Sequence, residues 1–210
     1  EDQVLQWADR LLDALAYCHS QGIVHRDVKP ANIIIRPDRQ PVLVDFGLVK
    51  LWDPDDPHTR TVMRGMGTPE YASPEQYGTQ PGHTDPRSDL YGLGATLYHA
   101  LAGEAPLTAT DRTAGVRQFD SVRDLNPQVS ARTDAAVVTA MALRVADRFE
   151  SAVEMRAALD VHSPQPASLH RLAHRAPNWN RLLVGILLGA IAFLILVIGL
   201  AMAVAQSPIK

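Results

Sequence analysis

Asp27, Lys29 and Asn32 fall within the run His25-Arg26-Asp27-Val28-Lys29-Pro30-Ala31-Asn32, and a second carboxylate opens the later run Asp45-Phe46-Gly47. Two carboxylates, a carboxamide and an ammonium group converging on one locus suit phosphoryl transfer, which needs positioning and charge neutralisation far more than covalent chemistry. Taken singly, an aspartate or asparagine beside a strand is more readily read as a turn cap. The joint pattern gives these residues their chemical weight.

Such a set has to be held by strand ends and tight connections. Ile23-Val24, Ile33-Ile34-Ile35 and Val42-Leu43-Val44 are short, apolar and rich in β-branched residues, which predicts strands. The turn Arg36-Pro37-Asp38-Arg39-Gln40-Pro41 predicts an antiparallel hairpin of the second and third, so Asp27 and Asn32, before its first strand, meet Asp45 after its second. Upstream, Val4, Leu5, Ala8, Leu11, Leu12, Leu15 and Ala16 recur at helical spacing, and Gly22 follows as a stop. Residues 48–80 lose periodicity and fill with Asp, Pro, Thr and Gly, a long connection of the functional kind. Beyond it, residues 90–101 read as a buried helix, and residues 134–143 and 151–159 as amphipathic ones.

The first run and Asp45-Phe46-Gly47 together resemble the catalytic loop and magnesium loop of protein kinases, and by them the chain is identified as a member of the Hanks-type, eukaryotic-like Ser/Thr kinase family. The resemblance implies that Asp27 orients the substrate hydroxyl and accepts its proton, that Lys29 neutralises the transferred phosphoryl group, and that Asn32 and Asp45 ligate the Mg²⁺ ions bridging the phosphates of ATP. His25, Phe46 and Gly47 would be structural, aligning the two loops. Lys29 with Pro30 next to it looks like the Ser/Thr branch of the family. Gly67-Thr68-Pro69-Glu70-Tyr71-Ala72-Ser73-Pro74-Glu75 resembles the end of an activation segment, with Ser73 where the family's Ala-Pro-Glu signature has alanine. Thr68 matches the threonine that contacts both the catalytic aspartate and the lysine.

Arg26 marks the subclass controlled by phosphate on the activation loop, for which Thr59 and Thr61 are the candidates; ordinary polar loop residues are the alternative reading of both threonines. Asp89, in Ser88-Asp89-Leu90-Tyr91-Gly92-Leu93-Gly94, resembles the aspartate that accepts backbone hydrogen bonds from the catalytic loop, though a carboxylate there is equally an ordinary helix cap. Arg148, in Asp147-Arg148-Phe149, would pair with Glu75.

The 46% apolar fraction is concentrated near the C-terminus. Residues 182–205 carry no charged side chain, and as a helix would be about 36 Å long against a ~30 Å hydrocarbon core, which predicts a single transmembrane span. Arg171, Arg175 and Arg181 precede it and only Lys210 follows, placing the kinase side in the cytoplasm. Gly185 and Gly189 stand at the spacing that seats a second helix in homodimers, a spacing also frequent in apolar helices that do not pair. The formal charge of −3 with dispersed basic residues gives no polyanion signal, so no nucleic-acid partner is expected. The single Cys18 reads as a small buried thiol.

The fold class expected is therefore mainly α: a kinase C-terminal lobe with a short hairpin at the catalytic loop, plus one transmembrane helix. The division is 1–161 lobe, 162–181 juxtamembrane linker, 182–205 span and 206–210 extracytoplasmic tail. No glycine-rich phosphate loop or Val-Ala-Ile-Lys strand precedes Asp27, so the chain reads as a fragment without the ATP-binding lobe, inactive alone, of a bacterial receptor-type kinase acting on protein substrates. A catalytically inert scaffold is the alternative; loss of Asp27, Lys29 or Asp45 would favour it, and none is lost.

Overall fold

The computed structural model describes residues 1–46, 50–51, 68–77 and 84–159, all within one compact unit spanning residues 1–172. Gly47, Thr59, Thr61 and the whole of the predicted linker, span and tail lie outside the described residues. Among the described residues, no helix is long and apolar enough to cross a membrane.

Helix α1 (Asp2–Ser20) buries Ala8, Leu11, Leu12 and Leu15 along one stripe, as the spacing predicts. Gly22 follows in the left-handed region at φ +69, where its lack of a Cβ removes the steric cost and lets the chain reverse into β1 (Ile23–Val24). A 3₁₀ turn at Pro30–Asn32 leads into β2 (Ile33–Ile35), which pairs antiparallel with β3 (Pro41–Leu43) in the register Ile33 to Leu43 and Ile35 to Pro41. The predicted hairpin is thus present, its second strand starting one residue early.

A further strand, β4 (Lys50–Leu51), pairs antiparallel with β1. It falls at the start of the segment expected to be irregular: two residues are too short to show a period, and their partner is remote in sequence.

Helix α2 (Pro86–Ala102) is the centre of the unit. Its residues from Ser88 to Tyr98 are all buried, so this stretch has no solvent face. Asp85 caps it by accepting the N–H of Arg87 at 2.8 Å, and Pro86 occupies the first helical position. Around it pack α1, α4 (Val122–Leu125) and α5 (Ala131–Ala140), while α6 (Ala152–Leu159) packs on α1 and α5. The short α3 (Ala109–Ala114) precedes α4. Helix α5 begins three residues before its predicted start because Ser130 caps it, accepting the N–H of Thr133 at 3.2 Å. Cys18 is half-buried rather than buried, and burial together with the charge of Asp89 raises the pKa of its thiol.

Candidate functional site

The turn after β1 carries the site, and its backbone is held in an unusual shape. Among the described residues, non-glycine side chains with positive φ occur at Arg26 (+70), Arg39 (+64) and Asp45 (+64). Arg39 serves the hairpin turn; the other two bracket the predicted catalytic residues. A side chain in this region costs free energy and persists where the surroundings enforce it.

The enforcement comes from α2. The Asp89 carboxylate accepts the N–H of His25 at 2.9 Å and of Arg26 at 2.7 Å, and lies 2.8 Å from His19 Nε2 on α1. Asp89 is 1% exposed, so these bonds are shielded from water. Of the two roles left open by sequence, Asp89 takes the first; the cap of α2 is Asp85.

His25 is fully buried. Its Nε2 lies 3.1 Å from the Val44 carbonyl, which assigns the proton to Nε2, and Nδ1 accepts the Asp27 N–H at 3.3 Å. Its ring meets the edge of Phe46 at 4.7 Å between centroids, although Phe46 itself is half-exposed. His25 thus ties the two loops together.

Asp27, Lys29 and Asn32 form one cluster. Asp27 Oδ2 receives Lys29 Nζ at 2.8 Å and Asn32 Nδ2 at 2.9 Å, and Asn32 Nδ2 also donates to the Asp27 carbonyl at 2.8 Å. Among the described residues, Asp27 Oδ1 and Asn32 Oδ1 carry no hydrogen bond, leaving two oxygen acceptors beside one ammonium group. The Val44 N–H donates to the Asn32 carbonyl at 2.9 Å, which ties the residue before Asp45 to the backbone of this cluster. Thr68 is exposed, and its carbonyl accepts the Tyr71 N–H at 3.1 Å; among the described residues its hydroxyl bonds neither Asp27 nor Lys29.

Arg26 is 7% exposed, and its Nε has no hydrogen-bond partner among the described residues. Burial lowers the pKa of its guanidinium, and the charge of Asp89 opposes that shift.

Farther out, Arg148 grips Glu75 through both terminal nitrogens, at 2.7 and 2.9 Å, and Ser88 Oγ donates to the same carboxylate at 2.8 Å. The Arg148 guanidinium also lies over the Tyr91 ring, 4.9 Å from its centroid. Burial would raise the Glu75 pKa, but the hydrogen bonds and charge of Arg148, with help from Ser88, hold it below its usual value.

Three features escaped sequence reasoning: His19 as a partner of Asp89, the 2.6 Å bond between the Tyr71 hydroxyl and His99 Nδ1, and Gln76, whose Nε2 donates to the Arg26 carbonyl at 2.7 Å. Only the last had a local signal: Ser73-Pro74-Glu75-Gln76 has the serine-to-glutamine spacing of a capping box with proline at the first helical position.

The protein kinase domain matches residues 1–160. The chain belongs to the protein kinase family. A probable serine/threonine-protein kinase of Corynebacterium efficiens is 36% identical over 170 residues, covering 77% of this chain and 26% of that protein. Serine/threonine-protein kinase PknB of Mycobacterium tuberculosis is 38% identical over 160 residues, covering 73% of this chain and 25% of its own length. This kinase chain therefore spans about a quarter of the curated relatives it matches. Among solved structures, PpkA-294 in its apo form superposes with a TM-score of 0.62 at 27% identity, covering 76% of this chain and 54% of that one. The protein-kinase fold here is mostly helical with small two-stranded sheets.

Proposed function

We propose that this chain carries the catalytic-loop half of a Ser/Thr protein kinase that transfers the γ-phosphoryl group of ATP to serine and threonine hydroxyls of protein substrates. The observation that carries the reading is the state of Asp27: Oδ2 is held by Lys29 and Asn32, while Oδ1 has no hydrogen bond among the described residues and is suited to accept a proton. Lys29 brings a positive charge next to that oxygen, where a phosphoryl group passing to the hydroxyl would need neutralising.

The donor set suits Mg²⁺, a hard cation that prefers oxygen: the Asn32 carboxamide oxygen and the Asp45 carboxylate are the groups that would hold it. A Mg²⁺ ion held by these two residues would supply positive charge to neutralise the nucleotide phosphates. The Asn32 amide nitrogen donates to Asp27, which leaves the carboxamide oxygen as the atom for that task.

Exposed apolar side chains stand on the hairpin and on the loop that follows it, Ile34 at 54% with its cross-strand partner Val42, and Phe46 at 47% against the ring of His25. Water-facing apolar groups clustered beside a functional site point to a covering partner. We assign that cover to an upstream ATP-binding lobe, without which this polypeptide would not turn over. Arg26 supports regulation by phosphate on Thr59 or Thr61, because a phosphate oxygen would satisfy its buried guanidinium. The uncharged run at 182–205 and the arginines before it support a single membrane anchor with the kinase side in the cytoplasm.

The test is Mg-ATP-dependent phosphate incorporation by the chain extended with its upstream sequence, on itself and on a generic substrate. Phosphoserine and phosphothreonine, with the protein in the membrane fraction, support the reading. A complete domain that neither binds ATP nor transfers phosphate would point to the scaffold.

A further inference from the structure

Gln76 sits in the 3₁₀ turn Pro74–Tyr77, at the end of the segment that follows the activation loop, and reaches back to the turn that carries Asp27. Its Oε1 accepts two bonds, from the Ser73 N–H and the Ser73 hydroxyl, both at 2.9 Å. Its Nε2 donates to the Arg26 carbonyl at 2.7 Å. The orientation of the carboxamide follows from these partners: reversed, it would set an NH₂ group against an N–H donor and an oxygen against a carbonyl. Ser73 is fully buried, so its hydroxyl is committed to this bond.

The consequence reaches Asp27 through one peptide group. The Arg26 N–H is fixed by Asp89 and the Arg26 carbonyl by Gln76, both at 2.7 Å, so the two peptide units flanking a residue at φ +70 are each held from a different element. The second of those units is the one that enters Asp27. We infer that Gln76, oriented by Ser73, is a positioning residue for Asp27, and that it couples the anchor of the activation segment to the geometry of the catalytic aspartate. Ser73, which stands where the family signature has alanine, thereby acquires a purpose: it supplies the hydroxyl that sets the carboxamide. The inference rests on the assignment of Asp27 as the catalytic base.

The discriminating variant is Gln76→Glu. It keeps the volume and both acceptor bonds from Ser73 but cannot donate to Arg26. In the upstream-extended kinase, kcat read below the melting transition is expected to fall roughly ten- to hundredfold, the scale of a sub-ångström to ångström misplacement, with KM for ATP close to wild type and the melting temperature somewhat lowered by the oxygen set against the Arg26 carbonyl. Ser73→Ala should lower kcat less, and adding it to Gln76→Ala should cost nothing more, because the serine acts only through the glutamine. Amide hydrogen exchange supplies a readout independent of turnover: exchange at Arg26 and Asp27 should quicken in Gln76→Glu.

Wild-type kcat in Gln76→Glu, or additive losses in the double variant, would overturn the inference. Should the wild-type protein transfer no phosphate, the kinase reading fails on its own. Exchange then decides the positioning role: quickening at Arg26 and Asp27 supports it, and unchanged rates overturn it.

Discussion

Asp89 Oδ1 accepts the Arg26 N–H at 2.7 Å across 63 positions of chain, which pins the turn that leads into Asp27 to the first turn of helix α2. The other oxygen takes the His25 N–H and faces His19 Nε2. Asp89→Ala strands two buried backbone donors, each costing about 1–3 kcal/mol. Chemical denaturation should show that loss, and the variant should lose phosphoryl transfer with it, because nothing else among the described residues fixes these two N–H groups. Retention of wild-type stability would show that water replaces the carboxylate.

Gly92 packs α2 directly against Val28, the residue after Asp27. A Cβ there would stand 2.7 Å from the Val28 carbonyl oxygen and 3.1 Å from Val28 Cβ. The first is backbone, so the loop must move. Gly92→Ala should cost about 1–3 kcal/mol of stability by overpacking and should displace Asp27, the neighbour of Val28. Activity measured below the melting transition should therefore fall by more than the unfolded fraction explains.

The Glu75–Arg148 pair is an anchor between the end of the activation segment and the region before α6. Both side chains are nearly inaccessible, at 1% and 0%. Arg148→Ala leaves a buried carboxylate without its cation and should destabilise the domain by about 3–5 kcal/mol, read as a lower denaturation midpoint.

The same pair sets a pH response. Burial raises the Glu75 pKa, but the bonds and charge of Arg148 outweigh it and leave the folded-state value below the ordinary 4.5. A depressed carboxylate contributes stability that is complete above the unfolded value and is lost as pH falls through the folded one. Urea denaturation from about pH 6 to about pH 3 should therefore show the wild type losing stability below its ordinary glutamate range, and Glu75→Gln lacking that component of the slope.

Much of this was legible in the sequence, and the reasons differ from part to part. The stripe on α1 and the apolar run of α2 announce themselves because many residues repeat one period, and the hairpin because two β-branched runs flank a turn rich in Pro and Asp. The cluster of Asp27, Lys29 and Asn32 was legible because its members are close in sequence and share one rigid turn. The pairing of Glu75 with Arg148 came from resemblance, since nothing local in either residue names its partner.

What stayed hidden was short or remote. Helices α3 and α4 have six and four residues, too few for a period, and their only marks are the caps Thr108 and Ser121. Strand β4 exists through its pairing with β1. The bonds of His19 to Asp89 and of Tyr71 to His99 join residues 70 and 28 positions apart, where local pattern carries no information.

The most direct test of the account is Asp27→Asn in the upstream-extended kinase, with nucleotide binding and phosphoryl transfer measured on the same preparation. Asparagine preserves shape and can still accept at one oxygen but cannot take the hydroxyl proton. The account predicts that Mg-ATP binding stays within about twofold of wild type while the rate of transfer drops by roughly a hundredfold or more, the scale of a lost general base. Transfer at the wild-type rate by Asp27→Asn would contradict it.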